Sequence, residues 1–520
     1  MLLAPFTLPF AMRRFLAERP SLVDAKTQLK QALESREQRF LELVRTSVYA
    51  TPESPYKKLL DHAGCELGDI ASSLDKTGLE ETLKTLARAG VYLTPGECKG
   101  RQDVERGSLS FRIRAQDLMP RRRSGGASDQ RSILVSSFDW LREAAPAVAL
   151  FLEAHDLRSS RMAVYEPMLG SLSGGLVFFL MAMRLGIPVD RWFARPVPAN
   201  NWLEDLYFRL TSHETALAGR WFGPGFASPE VTPTSELDRI VRWIEHRRQE
   251  GFTTCVRAVA SNVARIAGVA DDIGASLDGC TFIATSEPVT RAKRRAIEKI
   301  GGAVTVNWGY WPIGTVGLGC ARPAYDDEMH LISQSVAVIE QPEPVTGPGG
   351  VPVHPLLFTT LYPSAAQLEI NVSNGDQAVL SERDCGCPMH EAGLTVHVHN
   401  VGSFEKLTSE GLAFPVDDLY ELFETTLPDK FGGSAGDYQL VEEEGVNGRM
   451  HLTLIVDPSV GPIDESSLLD FLTSELSRGS RNKRFMAGVW RDAGTLRILR
   501  AVPTASARGK ILPLRTTTGR

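Results

Sequence analysis

The chain has 520 residues, 43% hydrophobic and 23% charged, an ordinary globular composition spread over more chain than one core usually organises, so at least two domains are expected. Its formal net charge of −6 offers no basic face to a nucleic-acid backbone, and the short run Arg121–Arg123 does not change that. The apolar start MLLAPFTLPFAMRRF is broken by prolines and followed by its charges, the reverse of a secretory signal, and no other stretch reaches the ~20 apolar residues of a membrane span. A cytoplasmic protein without a membrane or nucleic-acid partner is the expectation.

Up to about residue 100, apolar residues recur at three- and four-residue spacing, as in LVDAKTQLKQALESREQRFLELV and GLEETLKTLARAGV, which predicts a helical preface. RRRSGGASDQR, Arg121 to Arg131, follows as a small-residue loop flanked by arginine. Exposed amides and guanidinium groups of this kind suit phosphate, although flexible Ser/Gly linkers share the composition.

Between Ser159 and Asn307 helices alternate with short apolar strands. The clearest unit is TFIATSEPVTRAKRRAIEKIGGAVTVNWGY: a strand at Phe282–Thr285, a basic helix closed by Gly301 and Gly302, and a second strand at Ala303–Asn307. Strand, helix and strand at this spacing predict a right-handed crossover in a parallel sheet. Ligands of such sheets bind where strands lead into loops. Two loops stand out there, TSEP (Thr285, Ser286, Glu287, Pro288) and NWGY (Asn307, Trp308, Gly309, Tyr310), which together could wall a pocket for a planar ring.

Of seven cysteines, Cys65, Cys98, Cys255 and Cys280 are isolated and read as reduced thiols. The others are grouped. Cys385 and Cys387 flank a glycine that permits a sharp turn, and Cys320 and His330 lie upstream in GCARPAYDDEMHL. Cys320, His330, Cys385 and Cys387 make a Cys₃His set suited to a closed, tetrahedral structural zinc, with His390, His397 and His399 as other candidates for the fourth ligand.

QPEPVTGPGGVPVHP reads as a surface loop before the strand LLFTTL. Beyond about Gly402, DYQLVEEE, HLTLIVDP and TLRILRAV read as strands and SLLDFLTSELSRG as a helix, the size of a small α+β domain. The expected division is therefore 1–402 and 403–520. ARGKILPL, with Lys510 in a glycine-containing turn, lies near the end.

In this order the pieces resemble an adenylate-forming enzyme of the acyl-CoA synthetase superfamily, nearest its phenylacetate–CoA ligase-like branch, over about Arg121 to Lys510. The resemblance implies a large α/β N-terminal domain with a parallel sheet and a small α+β C-terminal lid. It places Ser124, Gly125 and Gly126 in the loop that holds ATP phosphates, and TSEP and NWGY around adenine. Asp376 of NGD falls on the ribose hydroxyls, SFEKLTSEG at the hinge, and Lys510 at the forming acyl phosphate. The four cysteine and histidine positions coincide with a structural Zn²⁺ carried by several such proteins.

The resemblance further implies AMP-forming activation of an aryl or medium-sized carboxylic acid, then transfer to coenzyme A, a carrier-protein thiol or an amine. A homodimer is compatible with it. One departure concerns magnesium. The family's aromatic-glycine motif usually continues to a glutamate that helps hold Mg²⁺ on the triphosphate, and here that position falls on Pro312, whose only oxygen is its carbonyl. An atypical Mg²⁺ site is expected, and the competing reading is a non-catalytic nucleotide- or acyl-binding member of the same fold.

Overall fold

A computed structural model of the chain describes residues 12–118, 138–168, 174–196, 202–310, 313–346, 352–362, 364–365, 367–403, 406–407, 414–415, 421–434, 436–445, 448–478, 487–491, 493–504, 511 and 514–516. The first long periodic run forms two helices rather than one, α1 (Leu22–Glu34) and α2 (Arg36–Val44). The break falls at Ser35, where φ is −94° and ψ 9°, and whose amide and hydroxyl both donate to the Gln31 carbonyl, at 3.1 and 2.8 Å. Ser21 and Asp24 cap α1 reciprocally. A longer helix, α3 (Leu67–Arg88), is kinked at Gly78, where φ is 79°.

The centre is a ten-stranded sheet. Its strands are β1 (Arg161–Pro167), β2 (Val189–Arg195), β3 (Pro229–Val231), β4 (Thr254–Val259), β5 (Cys280–Thr285), β6 (Ala303–Tyr310), β7 (Gly314–Gly319), β8 (Met329–Leu331), β12 (Asp376–Glu382) and β13 (Val396–Ser403). They lie in the order β12-β13-β8-β7-β6-β5-β4-β1-β2-β3. The run β6-β5-β4-β1-β2-β3 is parallel throughout, and the remaining pairings are antiparallel. Every residue of β4 is buried, as expected for a strand covered on both faces. The helices around this sheet include α4 (Phe138–Ala154), α5 (Gly174–Arg184), α6 (Ala260–Asp272) and α7 (Arg291–Glu298). The mixed α/β architecture with a mostly parallel sheet, expected from the sequence, is thus observed.

LLFTTL supplies β10 (Leu356–Thr360), in an antiparallel three-stranded sheet between β9 (Val336–Glu340) and β11 (Val372–Ser373). The helical preface packs here: Phe40, Val48 and Leu83 share a core with Ala337, Ile339 and Leu357. The C-terminal segment forms its own four-stranded sheet in the order β16-β15-β14-β17, from β14 (Tyr438–Glu444), β15 (Met450–Val456), β16 (Leu496–Arg500) and β17 (Leu514–Thr516). Helix α8 (Glu465–Ser477) covers it with Leu468 and Leu472, beside the fully buried Trp490.

Candidate active site and metal centre

The parallel strands reverse their spatial order between β1 and β4, and in open sheets of this kind ligands settle at the carboxyl ends beside such a reversal. A buried polar group spans that point. Arg257 of β4 donates to Glu166 of β1 at 2.6 Å and to Asn307 of β6 at 3.1 Å, with the Thr285 hydroxyl of β5 at 3.4 Å. The Phe178 ring of α5 lies 5.7 Å from the guanidinium carbon. Burial pulls the Arg257 pKa down, and the Glu166 carboxylate opposes that shift. Four strands are thereby tied together at their loop-bearing ends.

TSEP leaves β5 as expected, Thr285 pairing with Asn307 of β6, but NWGY is not the expected loop: it is the end of β6, with Trp308, Gly309 and Tyr310 paired to Gly317, Thr315 and Gly314 of β7. Ser286 takes φ 67°, a left-handed conformation that costs about 1–3 kcal/mol in a residue other than glycine. The turn brings Glu287 back onto the start of α6, where its oxygens accept from the Ser261 amide at 3.0 Å and the Ser261 hydroxyl at 2.9 Å. A carboxylate at a helix N-terminus is favoured by the unpaired amides there. Lys293 of α7 donates to the Pro288 carbonyl at 3.1 Å and lies 3.4 Å from Glu287.

Glu444 of β14 lies 3.7 Å from the same ammonium and accepts the Thr290 hydroxyl, while Arg265 of α6 reaches Thr495 at 3.3 Å. The C-terminal sheet therefore rests on the loop and helices that follow β4 and β5.

Asn307 is held at both ends of its amide, by Arg257 and by the Gly317 carbonyl at 3.3 Å. Trp308 is buried edge-on to Phe358, their centroids 5.7 Å apart, and Tyr310 packs on the same ring and donates to Glu369 at 3.0 Å. Gly309 between them is exposed. Asp376 opens the edge strand β12, with β13, β8 and β7 between it and β6, and its oxygen accepts from Asn374 at 2.8 Å. Ser124, Gly125, Gly126, Pro312, Lys510 and most of SFEKLTSEG lie outside the described residues.

The second constellation sits where β7, β8 and β13 meet the turn before the short helix Pro388–Glu391. Gly386 adopts φ 63°, the left-handed conformation that lets Cys385 and Cys387 face one side. Donor atoms of Cys320, His330, Cys385 and His397, all buried, lie within 4.8 Å of one another. His330 Nε2 is 3.1 Å from Cys387 Sγ and 3.7 Å from Cys385 Sγ. Its Nδ1 donates to the Leu394 carbonyl at 2.8 Å, which fixes the tautomer and leaves Nε2 as a lone-pair donor. His397 shows the same pattern, with Nδ1 on the Thr395 carbonyl at 3.0 Å and a buried Nε2 that has no partner among the described residues.

The thiol of Cys387 is held well below its ordinary value by a hydrogen bond from Cys320 and by His330, and Cys320 is pushed up in return. Cysteine sulfurs with imidazole nitrogens fit zinc in charge and softness, and the four donors that lie mutually close are two cysteines and two histidines, with Cys387 beside them. The four residues expected from the sequence are brought together, and His397 joins them.

No protein-family model matches the chain, and no curated protein matches it in sequence. Among solved structures it is similar to the amide bond synthetase McbA from Marinactinospora thermotolerans, at 11% identity and TM-score 0.34, covering 71% of this chain and 63% of that one. A variant of that enzyme aligns over 96% of this chain and 97% of its own, at 10% identity and TM-score 0.38. The fatty acyl-adenylate ligase from L. pneumophila, in complex with acyl adenylate and pyrophosphate, is similar over 66% of this chain and 60% of its own, at 10% identity and TM-score 0.30. The chain thus spans less than two thirds of the length of the first and third of these.

Proposed function

We propose that the chain is an adenylate-forming ligase of the acyl-CoA synthetase superfamily, phenylacetate–CoA ligase-like, acting on an aryl or medium-sized carboxylic acid. What supports this reading is that TSEP leaves β5 beside NWGY, the end of the adjacent strand β6, at the carboxyl edge of the parallel run, while Glu444 docks the C-terminal sheet on the same loop. In the first half-reaction a carboxylate oxygen attacks the α-phosphorus of ATP, pyrophosphate leaves, and an acyl adenylate forms. In the second, the thiol of coenzyme A or of a carrier protein, or an amine, attacks the acyl carbon and AMP leaves.

The substrate supplies its own nucleophile, so the protein's work is positioning and charge stabilisation. Backbone of Ser286–Pro288 and Asn307–Tyr310 would border adenine, Asp376 would hold the ribose, and Ser124, Gly125 and Gly126 the phosphates. Lys510 would offset charge between carboxylate and α-phosphate once the C-terminal domain, 403–520, turns against the N-terminal domain, 1–402. Pro312 gives Mg²⁺ no side-chain oxygen, so nucleotide affinity should gain little from the ion. A structural Zn²⁺ would be held by Cys320, His330, Cys385 and Cys387, a closed set with no open position for substrate.

Mass spectrometry of the protein incubated with ATP and a panel of aryl and medium-chain acids tests this. An acid-dependent acyl adenylate is expected. Its absence for every acid, with ATP still bound, would favour a non-catalytic binding protein.

A further inference from the structure

The helix Trp202–Phe222, which lies between β2 and β3 in the chain, is built the opposite way round from an ordinary surface helix. Such helices turn an apolar stripe to the core and polar residues to water. Here the buried side carries Thr211, Ser212, Thr215, Ala216, Ala218 and Gly219. Thr211 and Thr215 return their hydroxyls to carbonyls of the helix itself, at 2.8 and 2.9 Å. Gly219 permits a close approach, since a β-carbon there would stand 2.6 Å from Cβ of Phe226.

The large apolar residues point outward instead. Trp202 and Trp221 are 72% and 75% exposed, and Leu203, Leu206, Leu210 and Leu217 between 42% and 54%. At 3.6 residues per turn these six fall within about a third of the helix circumference, as a stripe roughly 30 Å long. Taking residue areas of roughly 150–250 Å², the exposed fractions leave on the order of 700 Å² uncovered. The largest apolar patch on a typical monomer is about 300–600 Å².

The stripe also matches itself. Trp202 and Trp221 are equally distant from a point between residues 211 and 212, near the middle of the helix, and so are Leu206 and Leu217. A copy turned end for end therefore sets Trp221 against Trp202 and Leu217 against Leu206, the self-complementary patch that a two-fold interface requires. Asp205 and Arg220 lie on one flank of the stripe near opposite ends, so the same arrangement opposes acid to base at both ends, where a parallel pair would oppose like charges. A membrane surface would ask for lysine and arginine beside the stripe, and the helix instead carries three acids, Glu204, Asp205 and Glu214, against Arg209 and Arg220.

We propose that the chain forms a two-fold dimer through the outward face of the helix Trp202–Phe222, packed antiparallel on the same helix of a second copy. The area available approaches the ~800 Å² per partner of a stable protein interface. The inference stands independently of the adenylation reading.

Sedimentation of the full chain in the micromolar range should give a species of twice 57.0 kDa. Leu206→Glu and Leu217→Glu should each weaken association at least a hundredfold while circular dichroism stays that of the parent, because both side chains are exposed in the single chain. Val23→Glu, at a position 74% exposed on α1 and off the stripe, should leave the dimer intact. Mixing Trp202→Cys with Trp221→Cys should give a bismaleimide-linked dimer above the parent's background, and neither variant alone should. A monomer throughout the range, a dimer unmoved by Leu206→Glu and Leu217→Glu, efficient linking of Trp202→Cys to itself, or a monomer captured through this face by phosphatidylcholine–phosphatidylglycerol vesicles would overturn the proposal.

Discussion

The Lys293 ammonium stands 3.4 Å from the Glu287 carboxylate with both side chains only 2% exposed, so loop, helix and C-terminal sheet meet on one desolvated cation. Removing one partner of a buried ion pair leaves the other charge uncompensated, typically at about 3–5 kcal/mol. Lys293→Met should lower stability by that order in chemical denaturation. Glu444→Gln should have a smaller effect on the large sheet but loosen the C-terminal sheet, seen as faster hydrogen exchange in α6 and α7. Unchanged exchange there would show that Glu444 does not hold the two parts together.

Glu369 gives a pH test. Burial pushes its carboxyl from 4.5 up to about 8, with the Tyr310 hydroxyl pulling the other way. Between those values the unfolded chain releases a proton that the folded chain keeps. The group's stabilising contribution is therefore complete below about 4.5 and lost as pH rises through about 8, at roughly 1.4 kcal/mol per unit. Glu369→Gln keeps an acceptor for Tyr310 and removes the titration. Urea melts should show the variant gaining on the parent steadily from about pH 5 to about pH 8; a constant difference would contradict the shift.

At the metal centre, about one zinc per chain is expected in the purified protein. Cys385→Ser and Cys387→Ser should each lower zinc affinity by more than the roughly 10–100-fold that losing a supporting hydrogen bond produces. His397→Gln should lower it less than Cys387→Ser. Elemental analysis showing the reverse order would assign the fourth position to His397, and full occupancy in both cysteine variants would remove the site.

The unit from β5 through α7 to β6 was legible because its signals are local: apolar β-branched runs and a helix stop at Gly301, φ 84°. The paired cysteines were legible for the same reason. Arg257, Glu166 and Lys293 were not, because a single charged residue in a strand or helix carries no signature. Its partner is fixed only by the strand order, which brings residues 166, 257, 285 and 307 together. Trp308 and Tyr310 read as walls of a slot from their spacing alone, yet both pack on Phe358, which the chain delivers fifty residues later on β10. Ser35 shows the complementary limit, since a periodic pattern continues unbroken through the residue at which α1 gives way to α2.

Acid-dependent exchange of labelled pyrophosphate into ATP is the most direct measurement, because it reports adenylation without any acceptor. Exchange with at least one aryl or medium-sized acid is expected, falling on the order of a hundredfold in Lys510→Ala while nucleotide affinity barely changes, the pattern of a group that acts mainly in the transition state. No exchange with any acid tried, or full exchange in Lys510→Ala, would contradict the assignment.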